Sequence, residues 1–134
     1  MGSHEEANAL PVVERLITQE QIARYAGASG DNNPLHLDPE FASGTQFGGI
    51  IAHGMLTLAY VSEMLTIAFG LRWLEGGRLK VRLKAAARPG DVVRTWGKVV
   101  KNGAGPGHDE TECSVGITNS QGEELISGTA TLPP

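Results

Sequence analysis

Apolar positions along the chain change their spacing several times, and each change predicts a new element. Val12, Val13, Leu16 and Ile17 crowd residues 11–17 and predict a first strand. From Thr18 the spacing turns helical. Thr18 and Gln21 form a capping box, and Ile22, Tyr25 and Ala26 recur on one face, so a helix runs to Ser29 and stops at Gly30. Residues 30–37 read as irregular, because Pro34 biases Asn33 towards an extended conformation and stops a helix from continuing. Asp38-Pro39-Glu40 is a helix start, with Asp38 as N-cap and Pro39 in the first helical position, opening a short helix to about Ser43. Gly48 and Gly49 break the chain. Residues 54–69 are apolar on nearly every side, which predicts a buried central helix.

After Gly70 the period switches to two: Leu79, Val81 and Leu83 alternate with Lys80, Arg82 and Lys84. Further strands are expected near residues 91–100, 110–118 and 123–132, and the glycine-rich residues 103–107 read as a hairpin loop. Helices come early and strands late. That order predicts an α+β domain in which an antiparallel sheet curls against one long helix.

Composition sharpens this picture. The 134 residues make one domain, taken as 5–134, with Met1-Gly2-Ser3-His4 read as an expression-tag remnant. Only 5% of residues are aromatic and 18 are glycine, so the core is modest and help from a second subunit is expected. A net charge of −4 offers nucleic acid or an anionic membrane no broad positive field. No stretch reaches the ~18 apolar residues of a spanning helix. The single cysteine, Cys113, cannot form an internal disulfide, and a cytoplasmic location is expected.

The candidate chemistry lies between Tyr25 and Gly54, where Asp31, Asn33, His36, Asp38 and His53 fall in a glycine-punctuated stretch. The turn at Asn33-Pro34 can bring Asp31 and His36 into one pocket. A carboxylate beside an imidazole is an acid/base pair suited to neutral pH. Gly54 opens the central helix, so its N–H is an unpaired donor at a positive helix end and its missing Cβ lets a carbonyl approach. A bare Asp-x4-His pair equally describes a turn cap beside a core histidine, and His53 at a helix entry has a structural reading too. The spacing of Asp31, His36, Asp38 and His53 matches no usual metal-ligand pattern, and no metal is expected. Lys80, Arg82 and Lys84 read either as a solvated strand face or as a contact for phosphates or an acidic carrier protein.

Taken together, Tyr25-Ala-Gly-Ala-Ser-Gly-Asp-Asn-Asn-Pro-Leu-His-Leu-Asp38 and Phe47-Gly-Gly-Ile-Ile-Ala-His-Gly-Met-Leu56 resemble the signature of the MaoC-like, (R)-specific enoyl-CoA hydratase family. Val81-Arg82-Leu83 and the Arg88-Pro-Gly-Asp91 turn add weaker support. The resemblance implies a hotdog fold and the addition of water to a trans-2-enoyl thioester, giving the (R)-3-hydroxyacyl thioester, or the reverse. Asp31 and His36 would be the catalytic pair, the Gly54 N–H would bind the thioester oxygen, and Asn33 and Ser62 would support the pair, with His53 beside them at the site. The thioester would be carried by coenzyme A or acyl carrier protein, with no further cofactor. Family members pair subunits, which implies an obligate homodimer or a heterodimer with a related hotdog subunit, in which this chain would be the active half. The sequence departs from the family at Leu83-Lys-Ala-Ala-Ala-Arg-Pro-Gly-Asp91, a segment that borders the acyl tunnel or pantetheine path in relatives.

A second enzyme reading starts from Glu63, since hotdog thioesterases place a carboxylate on the central helix. Glu63 also reads as a subunit-interface or sheet-edge ion pair.

Overall fold

The computed structural model describes residues 8–103 and 109–134. In chain order its elements are β1 (Glu14–Leu16), α1 (Gln19–Ser29), α2 (Pro34–Leu37), α3 (Pro39–Ser43), α4 (Gly54–Phe69), α5 (Leu71–Gly76), β2 (Arg78–Leu83), β3 (Val92–Lys101), β4 (Thr111–Asn119) and β5 (Glu124–Leu132). The strands form one antiparallel sheet in the order β1-β3-β4-β5-β2, and α4 packs on β3 and β4. This is the α+β hotdog arrangement.

Val61, Met64 and Leu65 of α4 meet Val93, Val115, Ile117 and Leu132 of the sheet in a single buried cluster. The helix is less enclosed than its uniform apolarity predicts. Leu56, Thr57, Val61, Met64 and Leu65 are buried, whereas Met55 and Ile67, on the other flank, are 59% and 58% exposed.

Local signals are realised at the expected places. The Thr18 hydroxyl accepts from Gln21 N at 3.1 Å, and α1 ends on Gly30 with φ +80°. Asp38 Oδ1 caps α3 by accepting from Glu40 N and Phe41 N. Along β2, Leu79 and Val81 turn inwards while Lys80 and Arg82 are exposed.

Two expectations need correction, and one helix has no counterpart among them. Residues 34–37 are not irregular. Asn33 is extended (φ −56°, ψ 129°), as a residue before proline should be, but that is also the conformation of an N-cap, and Pro34 then starts the single helical turn of α2. The first strand is shorter than expected, with ladder pairing only at Glu14–Leu16, because Pro11 has no N–H and the Val13 N–H goes to the Thr95 hydroxyl (2.8 Å). Residues 71–76, which carry no strand or helix expectation, form α5, whose Trp73 is buried. Residues 1–4 and most of the glycine-rich 103–107 stretch lie outside the described residues.

Candidate active site

The loop after α1 is held by a relay of short side chains. Asp31 N donates to Ser29 Oγ, Asn33 N donates to Asp31 Oδ1 (3.2 Å), and Leu35 N donates to Asn33 Oδ1 (3.0 Å). Asn33 therefore ties Asp31 to the start of α2, the turn that presents His36. Gln19 Nε2 pins the far side of that turn by donating to His36 O at 2.9 Å.

His36 is 8% exposed, and its Nδ1 lies 2.7 Å from Ile51 O. A carbonyl only accepts, so Nδ1 carries a proton, and the tautomer this selects for the neutral ring has its lone pair at Nε2. That nitrogen lies 4.0 Å from Asp31 Oδ2, on a carboxylate whose side chain is 55% exposed. The gap exceeds a hydrogen bond and suits a bridging oxygen that contacts both. Asp31 and His36 are thus brought together, open to solvent on the carboxylate side.

His53 completes the cluster. Its ring stacks on His36 with centroids 3.8 Å apart and planes at 25°, and Tyr25 packs edge-on against its other side at 4.8 Å. His53 Nε2 donates to Asp31 O at 3.0 Å, which leaves Nδ1 buried without a hydrogen-bond partner among the described residues. Asp31, His36 and His53 bring potential metal-ligating atoms within 4.8 Å of one another. Each histidine has one nitrogen committed to a carbonyl, and rings this close to parallel cannot both aim in-plane lone pairs at one ion ~2.0–2.1 Å away. Asp38 takes no part, since it caps α3.

The residue after His53 is Gly54, the first of α4. Among the described residues its N–H has no backbone acceptor, as expected for the first turn of a helix. A Cβ at this position would lie 2.4 Å from Leu83 Cδ2, so glycine is what lets Leu83 seat over the helix entry. Beside it lies a cavity of about 250 Å³, bordered by Ile51, Gly54 and the departing segment Leu83 to Ala87. That segment is fixed to the helix entry by Ala52 N donating to Ala87 O at 2.8 Å.

Ser62 is placed differently from the resemblance's implication. Its hydroxyl accepts from Trp73 Nε1 at 3.0 Å, and the structure gives it no hydrogen bond to Asp31 or His36. Glu63 pairs with Arg15 of the edge strand β1, Nη2 to Oε2 at 2.7 Å, which is the sheet-edge ion pair. Nearby Tyr60 has its pKa raised by burial, with Arg15 pulling it back. Lys84 pairs with Glu124 (2.7 Å), while Lys80 and Arg82 have no ion pair among the described residues; all three border a groove of about 330 Å³ between β2 and β5. Sequence reasoning missed the Ile51 carbonyl, which no residue type signals, and Trp73, whose short helix is too brief for periodicity to reveal.

The family profile described as "MaoC like domain" matches residues 3–121. The chain is 38% identical over 88 residues to 3-hydroxyacyl-thioester dehydratase Z of Mycobacterium tuberculosis (strain CDC 1551 / Oshkosh), covering 63% of this chain and 58% of that protein. It is 36% identical over 83 residues to the (R)-specific enoyl-CoA hydratase of Rhodospirillum rubrum, covering 59% and 55%. Thus it spans little more than half the length of these relatives. Among solved structures, the (R)-hydratase of A. caviae involved in PHA biosynthesis superposes with a TM-score of 0.77 at 26% identity, covering 92% of both chains. Matched over most of its length, with the expected fold and the motif residues gathered in one place, this chain belongs to the MaoC-like domain family.

Proposed function

We propose that the protein hydrates trans-2-enoyl thioesters to (R)-3-hydroxyacyl thioesters, or runs the reverse dehydration. The observation that carries this reading is His36 Nε2 lying 4.0 Å from Asp31 Oδ2, with Nδ1 held by Ile51 O, in a cluster that runs through His53 to Gly54, the first residue of α4. A water between the two acceptors would donate one hydrogen bond to each, leaving an oxygen lone pair to attack the β-carbon while one of its protons passes to the pair. The C–O bond forms as the C=C π pair moves towards the thioester, and negative charge develops on the carbonyl oxygen. The Gly54 N–H and the positive end of α4 stabilise that charge. The proton taken by the pair is then delivered to the α-carbon on the same face, which restores both groups. The (R) outcome rests on the kinship with relatives named for it.

The reading treats coenzyme A or acyl carrier protein as part of the substrate and assigns no resident cofactor or metal. Lys80 and Arg82, free of ion pairs among the described residues, are suited to the carrier's phosphates. A second copy of this chain, or a related hotdog subunit, would cover the apolar flank at Met55, Ile67, Leu71 and Leu74, which are all more than half exposed. No helix among the described residues is long and apolar enough to cross a membrane.

Incubation with crotonyl-CoA tests the reading. Enoyl absorbance should fall with no free thiol appearing; thiol release with the enoyl group intact would replace hydration by thioester hydrolysis. Size-exclusion chromatography with activity measured across the peak tests whether this chain alone assembles into the active species.

A further inference from the structure

A second cavity, about 410 Å³ and mainly apolar, is lined by Tyr25, Met55, Leu58, Ala59, Ser62 and Leu79. It lies beside the reacting groups, since its lining residue Tyr25 packs on His53 and His53 stacks on His36. It leads away from them along α4 towards Ser62, two helical turns further on. There the wall is backed by a residue the proposed reaction does not use. Trp73, 7% exposed, donates its indole N–H to Ser62 Oγ at 3.0 Å. The chain is shaped around this ring: a Cβ at Gly77 would fall 2.0 Å from Trp73 Cε3, so only glycine lets the turn into β2 close over the indole. Two residues later Leu79 joins the lining of the cavity.

We infer that this cavity receives the acyl chain and that Trp73, held by Ser62, is the stop that sets how long a chain it accepts. The inference rests on the thioester reading above and names a specificity determinant within it. A mainly apolar pocket whose hydroxyls are those of Tyr25 and of Ser62, the latter bonded to Trp73, suits a saturated hydrocarbon tail. The indole behind that hydroxyl is the largest side chain available to limit depth. Trp73 touches no reacting atom and acts as a positioning residue.

The test compares the wild type with Trp73→Phe and Trp73→Leu on crotonyl-CoA, trans-2-octenoyl-CoA and trans-2-dodecenoyl-CoA, reading kcat/KM for each. The ratio of dodecenoyl to crotonyl should rise from Trp to Phe to Leu, by about tenfold or more for Leu, since each methylene admitted to an apolar pocket is worth about 10-fold or more. A purely structural role would lower all three substrates together and leave the ratio unchanged, which would overturn the inference. Calorimetric binding of butyryl-CoA and lauroyl-CoA to the same proteins provides a readout independent of turnover. If no variant hydrates any enoyl-CoA but lauroyl-CoA gains affinity in Trp73→Leu, the hydratase reading fails and the stop stands. Equal affinities across the series would remove the stop, whatever the turnover. Should Trp73→Leu not fold, Trp73→Phe, which keeps an aromatic ring against Gly77, decides by the same ratio.

Discussion

His36 and His53 stack face to face at 3.8 Å, and each commits one ring nitrogen to a backbone carbonyl, His36 to Ile51 and His53 to Asp31. The stack thus joins His36 to the segment that carries Asp31. His53→Phe keeps the stacked ring and loses only the bond to Asp31 O. Its stability should stay within about 1 kcal/mol, the net worth of one hydrogen bond. Turnover should fall by about 10- to 100-fold through loosened positioning of Asp31, with KM little changed. Steady-state kinetics beside a thermal melt check this; an unchanged kcat would show that the stack alone suffices.

Gly54→Ala separates two roles of one glycine. The added Cβ meets Leu83 Cδ2, while the proposed reaction uses the backbone N–H of the same residue to hold the thioester oxygen. Leu83 is 52% exposed and can swing aside, so the variant should fold with a slightly lower melting temperature while kcat/KM falls by about 10²-fold. Adding Leu83→Ala should restore the melting temperature and leave activity low. Recovery of activity in the double variant would mean that the clash with Leu83, rather than the oxyanion position, caused the loss.

Glu63 and Arg15 are each roughly 40% exposed, and such pairs contribute about 0–1 kcal/mol. Glu63→Gln should therefore leave both stability and hydration close to wild type. If the protein releases thiol from an acyl-CoA and Glu63→Gln abolishes that release, the helix carboxylate is a hydrolytic group after all.

Burial pushes the Cys113 thiol up to about 11, the main cause being loss of solvation, with Arg72 opposing it. The folded protein therefore holds this proton more tightly than the unfolded chain. That stabilising contribution is complete below the unfolded thiol's pKa, near ~8.5, and is lost as pH rises towards 11. A thiol-reactive chromophore should label Cys113 at neutral pH only after denaturant is added. Rapid labelling of the folded protein would place the thiol at the surface.

The chain's local chemistry announces much of this site and some of its fold. Thr18, Gly30, Asp38 and Pro39 act on their immediate neighbours, so the ends of α1 and the start of α3 follow from residue type. Asp31 and His36 lie within one short turn, and their pairing follows from Asn33-Pro34 in the same way. What the pattern hides depends on distant segments meeting. The Ile51 carbonyl that sets the His36 tautomer lies 15 residues away and is backbone. The Trp73 partner of Ser62 sits in a six-residue helix with too few turns to show a period. The shortened β1 reflects the Thr95 hydroxyl intercepting the Val13 N–H from across the sheet.

The central claim is that Asp31 and His36 act as one acid/base unit on an enoyl thioester. Crotonyl-CoA hydration by wild type, Asp31→Asn and His36→Ala, each with matching far-ultraviolet circular dichroism, tests it most directly. The account predicts that wild type gives (R)-3-hydroxybutyryl-CoA and that each variant, though folded, loses on the order of 10²–10⁴ in kcat. Near-wild-type turnover in either folded variant would contradict it.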